Sequence, residues 1–282
     1  MTATGEDLAD LEPAARLLRR LEDGAADRVP ETMIAVAHPD DEVIGAGAQL
    51  PRLPGLTIVH TTDGAPRDRR DSNAAGFDSW QAYASARRRE LAEALELAGI
   101  PAGAARALGF ADQGASFHLV ELTEALTAIL EELRPEFVIT HPYEGGHPDH
   151  DATVFAVHGA CALLCRGGLR PPSLLEMTSY HAADGGLVTA SFLPWPVTTL
   201  ALDAKASVRK RELVACFATQ RRVLAQFLIE MERFRPAPPY SFVQPPHHGQ
   251  LYYEHFVWGV DGMRWRGLAC AALAELGLSG AP

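Results

Sequence analysis

Met33-Ile34-Ala35-Val36-Ala37 is an unbroken apolar run, and it stops abruptly at His38-Pro39-Asp40-Asp41-Glu42. Five apolar residues without alternation suit a strand buried on both faces, as in the middle of a parallel sheet. The arrangement returns further along the chain. Phe137-Val138-Ile139-Thr140 is a second apolar run, followed by His141 and then by His147-Pro148-Asp149-His150. Ligands of open α/β sheets bind beyond the carboxyl ends of the strands. Both clusters of imidazoles and carboxylates are therefore expected at one place.

Working outward, Val43 to Leu50 can begin a helix, and Leu56 to Thr62 reads as a strand closed by Asp63-Gly64. Trp80 to Ala98 is strongly helical, with Gly99 as its C-cap. Arg106 to Phe110 is a short third strand, Leu119 to Leu133 a helix, His141 to Asp151 a loop, and Ala152 to Cys165 a helix. This alternation predicts an α/β, Rossmann-like, mostly parallel sheet with helices on both faces. Before it, Leu8, Leu11, Ala14, Leu18 and Leu21 recur at helical spacing. After it the pattern loosens. Leu174 to Tyr180 and Thr198 to Leu202 suit strands, Lys205 to Phe234 is mostly helical, and Pro236 to Pro246 is extended. The expected organisation is a catalytic core over 1–170 and a mixed extension over 171–282 that packs on it and shapes the substrate pocket, one domain overall.

Composition narrows the function. The 282 residues are 47% hydrophobic and 22% charged, the balance of a globular chain with a real core. A net charge of −11 argues against nucleic acid, whose binders carry a basic stripe. Most of Arg87-Arg88-Arg89 reads as a solvated helix face. Cys161, Cys165, Cys216 and Cys270 are too scattered for a disulfide framework, and the first two are expected to face the core. The acidic start is the reverse of a signal peptide, and no apolar run is long enough for a membrane span. A cytoplasmic protein is the expectation.

Two His and one carboxylate with an open position form the ligand set of catalytic zinc in several hydrolases. A single His-Pro-Asp is ordinary in loops, where Pro and Asp build turns and caps. It occurs twice here, at His38 and at His147, each time after a buried strand and before a helix, and capping requires a histidine at neither place.

Ala37-His38-Pro39-Asp40-Asp41-Glu42 together with Gly146-His147-Pro148-Asp149-His150 resembles the zinc-dependent de-N-acetylases of the LmbE-like (PIG-L) family. The similarity runs over about residues 32 to 160, with a weaker echo at Lys205 to Gln220. The resemblance implies that His38, Asp41 and His150 bind one Zn2+, with Fe2+ or another divalent metal as an alternative. It makes Asp40 the general base toward the zinc-held water, and His147 the donor to the oxyanion or leaving amine, with Asp149 orienting it. It makes Arg87 and Asp112 the groups that hold the sugar. The implied reaction is removal of an N-acetyl group from a glucosamine-type sugar.

The chemistry agrees. Zinc lowers the pKa of water and polarises a carbonyl. A free carboxylate beside it collects a proton, and a second group must serve the departing nitrogen. Two departures from the family pattern touch the substrate. Gly64 is followed by Ala65-Pro66 where many relatives have Gly-Glu, and Gly145 stands where some have Tyr, with Tyr143 nearby.

Other readings stay open. One is an amidase for a longer acyl chain or a thiol conjugate, another a non-haem iron oxygenase, which shares the ligand set. A third is a sugar-binding relative without catalysis. Asp40 and His147 speak against the last two, which need neither. His181 can line the pocket, Trp258 and Trp265 can stack on a sugar or fill gaps, and His247-His248 are expected to be exposed. His60, His118 and His158 read as structural. The partner is a small amino sugar, without nucleic acid or membrane span, and a homo-oligomer is compatible with the sequence.

Overall fold

The computed structural model describes residues 13–21, 31–53, 55–183 and 186–279. A first helix, α1, covers 13–21, so Leu8 and Leu11 lie outside the described residues. The chain then runs β1 (Thr32–Val36), α2 (Asp41–Ala46), β2 (Thr57–Thr62), α3 (Arg70–Ala74), α4 (Trp80–Ala98), β3 (Ala105–Phe110), α5 (Leu119–Leu133), β4 (Phe137–Thr140) and α6 (Pro148–Arg166). The remainder is β5 (Ser173–Met177), β6 (Tyr180–Ala183), β7 (Gly186–Thr189), β8 (Thr198–Ala201), α7 (Ala204–Ala215), α8 (Arg221–Leu224), β9 (Met231–Pro236) and α9 (Gly262–Glu275).

Seven strands form one sheet in the order β3-β2-β1-β4-β5-β9-β8. β3, β2, β1, β4 and β5 are mutually parallel, and β9 and β8 close the edge antiparallel. The expected α/β sheet is therefore present, and its parallel part reaches one strand past residue 170. β1 shows why its sequence lacks alternation. Ile34 and Val36 face a core shared with α1, α2, α4 and α7, while Met33 and Ala35 face a second core under α5, α6 and α9. Both faces are dry, so no polar residue has a place. Full burial of each large aliphatic is worth about 1.5–3 kcal/mol.

Helix α4 ends as its sequence demands: Gly99 takes φ 76°, a left-handed conformation open to a residue without Cβ. α6 departs from expectation. It begins at Pro148, not Ala152, because Pro at N1 gives up a donor the helix would not use and the His147 side chain caps the amide of Asp149. In place of one helix over Lys205 to Phe234 there are α7, α8 and the strand β9. Met231–Pro236 is paired on both sides, by β5 and β8, and its near-alternating burial is a strand pattern that the helical periodicity before it hides. The Pro-rich segment is extended only until a turn that bonds Gln244 N to Ser241 O. Cys161 is half-buried and Cys165 exposed, so the second does not face the core: α6 turns that side outward.

Two fully buried contacts are among those that tie the extension to the core. Lys210 of α7 is fully buried and donates to Ile44 O of α2 at 2.7 Å and to Glu232 of β9 at 2.8 Å. Glu232 also accepts from Ala48 N and from the Gln49 side chain, which fixes the far end of α2. Trp265 of α9 is 0% exposed and packs against Tyr143 and Phe155.

Candidate metal centre

The strand order reverses between β1 and β4, so the two chains leave the sheet there side by side and diverge to opposite faces. His141 pins the two ends together: its Nε2 accepts from Ala37 N at 3.0 Å. The crevice above holds the two motifs. His38 Nδ1 lies 3.3 Å from Asp41 Oδ2, His150 Nε2 3.3 Å from Asp41 Oδ1, and the two ring nitrogens 3.2 Å apart. Donors at zinc bond lengths of about 2.0–2.1 Å around a tetrahedron stand about 3.3–3.4 Å from one another. The two imidazole nitrogens have that spacing, and each has it to a different oxygen of Asp41; His147 with His38 and His150, and His141 with Asp41 and His150, also come close enough to share an ion. His150 reaches this position because α6 starts at Pro148, which puts it in the first turn.

A second layer holds these donors. The remaining nitrogen of His150, Nδ1, meets Ser179 Oγ at 3.0 Å. His38 Nε2 faces Asp112 Oδ1 at 3.2 Å and Asp149 Oδ2 at 3.4 Å, and Asp41 Oδ2 accepts from His38 N at 2.7 Å. Partners of this kind fix which nitrogen is free to ligate. Burial pushes the Asp41 carboxyl up, but His150 and His141 outweigh it and hold the group well below the usual carboxylate range. Burial and the neighbouring His141 bring His150 down to about 3, so it stays neutral and its lone pair available.

Asp40 is set apart from the three donors. Its backbone takes φ 132°, a strained conformation for a residue with Cβ. Arg87 spans this turn from α4, donating to Pro39 O at 2.9 Å and to Asp40 Oδ2 at 3.3 Å. Glu42 secures it from the other side, accepting from Asp40 N while its carboxylate bonds buried His60 at 3.0 Å. Gly64 leaves room for the arginine, since a Cβ there would stand 2.7 Å from the guanidinium. Burial raises the Asp40 carboxyl to about 8, with Arg87 opposing the rise.

The expected pairing of His147 with the Asp149 carboxylate is not what the structure shows. Asp149 Oδ2 lies 3.9 Å from His147 Nδ1, which instead accepts from the Asp149 backbone amide at 3.1 Å. The carboxylate is turned away to accept from Gln113 N at 2.6 Å and Ala115 N at 3.1 Å. The helix cap wins because a free amide at the start of α6 is the nearer donor. Nδ1 being an acceptor, the proton of neutral His147 sits on Nε2. Burial and then the nearby His38 hold this imidazole well below its ordinary pKa, so an imidazolium is disfavoured.

The family model described as GlcNAc-PI de-N-acetylase, PIG-L, matches residues 33–161. Over those residues the chain is similar to the PIG-L family. Solved structures of similar fold include a pseudoaglycone deacetylase for an antimicrobial reagent, at 22% identity and TM-score 0.58, covering 75% of this chain and 98% of that one. The zinc inhibited form of teicoplanin deacetylase matches at 17% identity and TM-score 0.54, covering 73% and 97%. An N,N'-diacetylchitobiose deacetylase from Pyrococcus horikoshii matches at 22% identity and TM-score 0.51, covering 84% and 94%. At such identities the likeness establishes the fold. No curated protein matches the chain in sequence.

Both motifs, Arg87 and Asp112 fall within the PIG-L segment, and the structure gathers them in one cleft, whose lining includes His38, Asp40, Asp41, Arg87, Asp112 and His147. Arg87 is buried against Asp40 and not held free for a ligand, while Asp112 lies within 3.8 Å of His147 Nε2. His181 does not line the cleft: it is buried against Glu144 at 3.3 Å. Trp258 does line it, whereas Trp265 is core. Sequence reasoning missed Ser179, His141 as the pin of the two strands, Glu42 as the prop of Asp40, and Asp71 and Gln220 on the cleft wall. Glu42 stood in the first motif and His141 beside the second, so proximity was a signal for them. Ser179 comes from the extension and carried none, whereas Gln220 closes the weaker echo at Lys205 to Gln220.

Proposed function

We propose that this chain is a metal-dependent deacetylase that removes an N-acetyl group from an amino sugar, with zinc as the metal its donor set suits. The observation that carries the reading is the cluster of His38, Asp41 and His150, in which the two imidazole nitrogens lie 3.2 Å apart and each lies 3.3 Å from one oxygen of the Asp41 carboxylate, beside a second carboxylate that is not part of it. The fit of these residues to an ion is supported by the neutral His150 imidazole and the ionised Asp41. When bound, a zinc ion supplies Lewis acidity, making water a competent nucleophile near neutral pH and polarising the amide carbonyl.

The chain supplies the rest. Asp40 Oδ2 is held by Arg87, and a carboxyl raised to about 8 is, once ionised, a strong enough base to take the proton of the attacking water. That same proton is what the departing nitrogen needs as the C–N bond breaks. His147, neutral with its proton on Nε2, donates to the oxygen on which negative charge develops, a role that needs no cation. Asp112 and Asp149 hold His38, and Asp112 together with Asp71, Gln113 and Gln220 offers acceptors and donors for sugar hydroxyls.

The test is amine release from N-acetyl amino sugars by the full chain, stripped of metal and reloaded with zinc. Activity should appear only on reloading. Asp40→Asn should keep its zinc, measured by elemental analysis, and lose about 10²–10⁴-fold of the turnover expected of general acid–base catalysis. Unchanged turnover in Asp40→Asn would remove the mechanism, and turnover without metal would remove the function as proposed.

A further inference from the structure

The loop from β4 to α6 carries His147 and passes through Gly145 and Gly146. Gly145 takes φ 70°, and a Cβ on Gly146 would run into Tyr180 O, so the pair lets the backbone press against the extension. Two glycines fix no path by themselves. Bonds from both sides fix it instead. Asp151 Oδ1 of α6 accepts from Gly145 N at 3.2 Å, and Tyr252 N donates to Gly145 O at 2.8 Å. The charged hold is Glu144, 1% exposed, whose Oε1 accepts from Leu193 N at 2.8 Å and from Arg235 of β9 at 3.1 Å. Arg235 is a hub, 3% exposed. Its Nε donates to Glu176 of β5 at 2.6 Å, its Nη2 to the Tyr240 hydroxyl at 3.0 Å and its Nη1 to Leu193 O at 3.3 Å. The ring of Phe192 covers the guanidinium at 4.1 Å. Tyr240 closes the circle: its hydroxyl donates to Glu176 at 2.7 Å and accepts from Tyr143 N at 3.4 Å.

From this arrangement we infer that Glu144 is a positioning residue for His147: bonded to Arg235, it lets the extension set where the Nε2 proton of His147 points. The inference rests on the proposed deacetylation, in which that proton meets the developing oxyanion. Three features carry it. An apolar side chain at 144 would be buried without the desolvation a carboxylate suffers, so the carboxylate stands there for its partners, and a forked ion pair holds a single geometry. Glu144 is absent from the cleft lining, and its bonds go to Leu193 and Arg235, with His181 beside its other oxygen at 3.3 Å. It meets neither substrate nor metal donors, and acts through the backbone it holds. His147 is fixed at one end only, where its Nδ1 caps Asp149 N, so the loop before it decides where the ring stands. A neutral donor works by direction and distance, and a misplacement of about 1 Å can cost about 100-fold.

The experiment reads variants at 144 with and without His147. Glu144→Ala, zinc-loaded, should lower kcat on an N-acetyl amino sugar about 10–100-fold with KM within about twofold, the mark of an interaction made in the transition state. Its zinc affinity should stay unchanged. Glu144→Gln keeps an acceptor oxygen for Leu193 N and Arg235 and should restore most of kcat. In a His147→Ala background, adding Glu144→Ala should cost nothing more, because residues that act through one another are not additive. Arg235→Lys keeps a cation beside Glu176 but loses the fork. It should show the same dependence on His147, and it decides the matter if Glu144→Ala does not fold. Unchanged kcat in Glu144→Ala, an equal loss in both backgrounds, or zinc affinity falling in step with kcat overturns the inference and leaves the deacetylase standing. If the chain releases no amine, the deacetylase reading has failed, and the nitrogen NMR signals of the His147 ring decide. They should move in Glu144→Ala while those of His38 and His150 stay in place, and unmoved His147 signals overturn the inference.

Discussion

The PIG-L segment and the extension after it use sequence in different ways. Between Met33 and Cys161 short apolar runs alternate with helices, and each chemical motif sits immediately after its strand. Beyond residue 171 the sheet is completed by one parallel strand, β5, and two antiparallel ones, β9 and β8, and the residues that matter to the cleft are scattered: Ser179, Tyr180, Gln220, Phe227 and Trp258. The first region makes the metal site from parts close in sequence. The second makes a wall, and one hydroxyl for the site, from parts far apart. A reaction centre demands fixed geometry, which buried strand ends provide, whereas a substrate wall asks only for shape and polarity, which loops satisfy in many ways.

The sharpest way to break this comparison is to remove a donor. Asp41→Asn should cost metal retention outright, because the site would keep two neutral imidazoles and no anion. The expected loss in zinc affinity, by competition with a chromogenic chelator, exceeds the roughly 100-fold seen at most for groups behind the ligands. If Asp41→Asn keeps zinc as well as Asp40→Asn does, the division between donor and base is wrong.

Next comes the grip of the extension on the core. Lys210→Met leaves Glu232 buried without its cation, and breaking one half of a buried pair costs about 3–5 kcal/mol. The urea midpoint should fall accordingly. A loss below about 1 kcal/mol, close to an exposed pair, would mean that α2 is held by the core alone.

The smallest expected effect sharpens the comparison most. Ser179→Ala removes the hydroxyl behind His150 Nδ1 and should weaken zinc binding about 10–100-fold without altering the fold. Unchanged affinity would confine the extension to shaping the cleft. A loss in that range would make it part of the metal site.

The sequence carried much of this molecule because burial on two faces leaves a local signature. Met33–Val36 and Phe137–Ile139 must be apolar throughout, Gly99 takes a left-handed conformation that favours a residue without Cβ, and α5 must repeat its leucines, so these elements could be read one at a time. The two His-Pro-Asp motifs named the metal donors for the same reason: each lies where a buried strand has to end. What folding alone decided was which atoms face which. The tautomer of His147 followed from a backbone amide at a helix start, not from the carboxylate next to it in sequence. Arg87 was drawn under Asp40 by a strained turn, and Ser179 and Trp258 arrived from loops whose spacing obeys no period. Local patterns record burial, because burial repeats along a helix or strand. Hydrogen-bond partners are set by distance in space, and that is fixed only when the sheet brings its edges together.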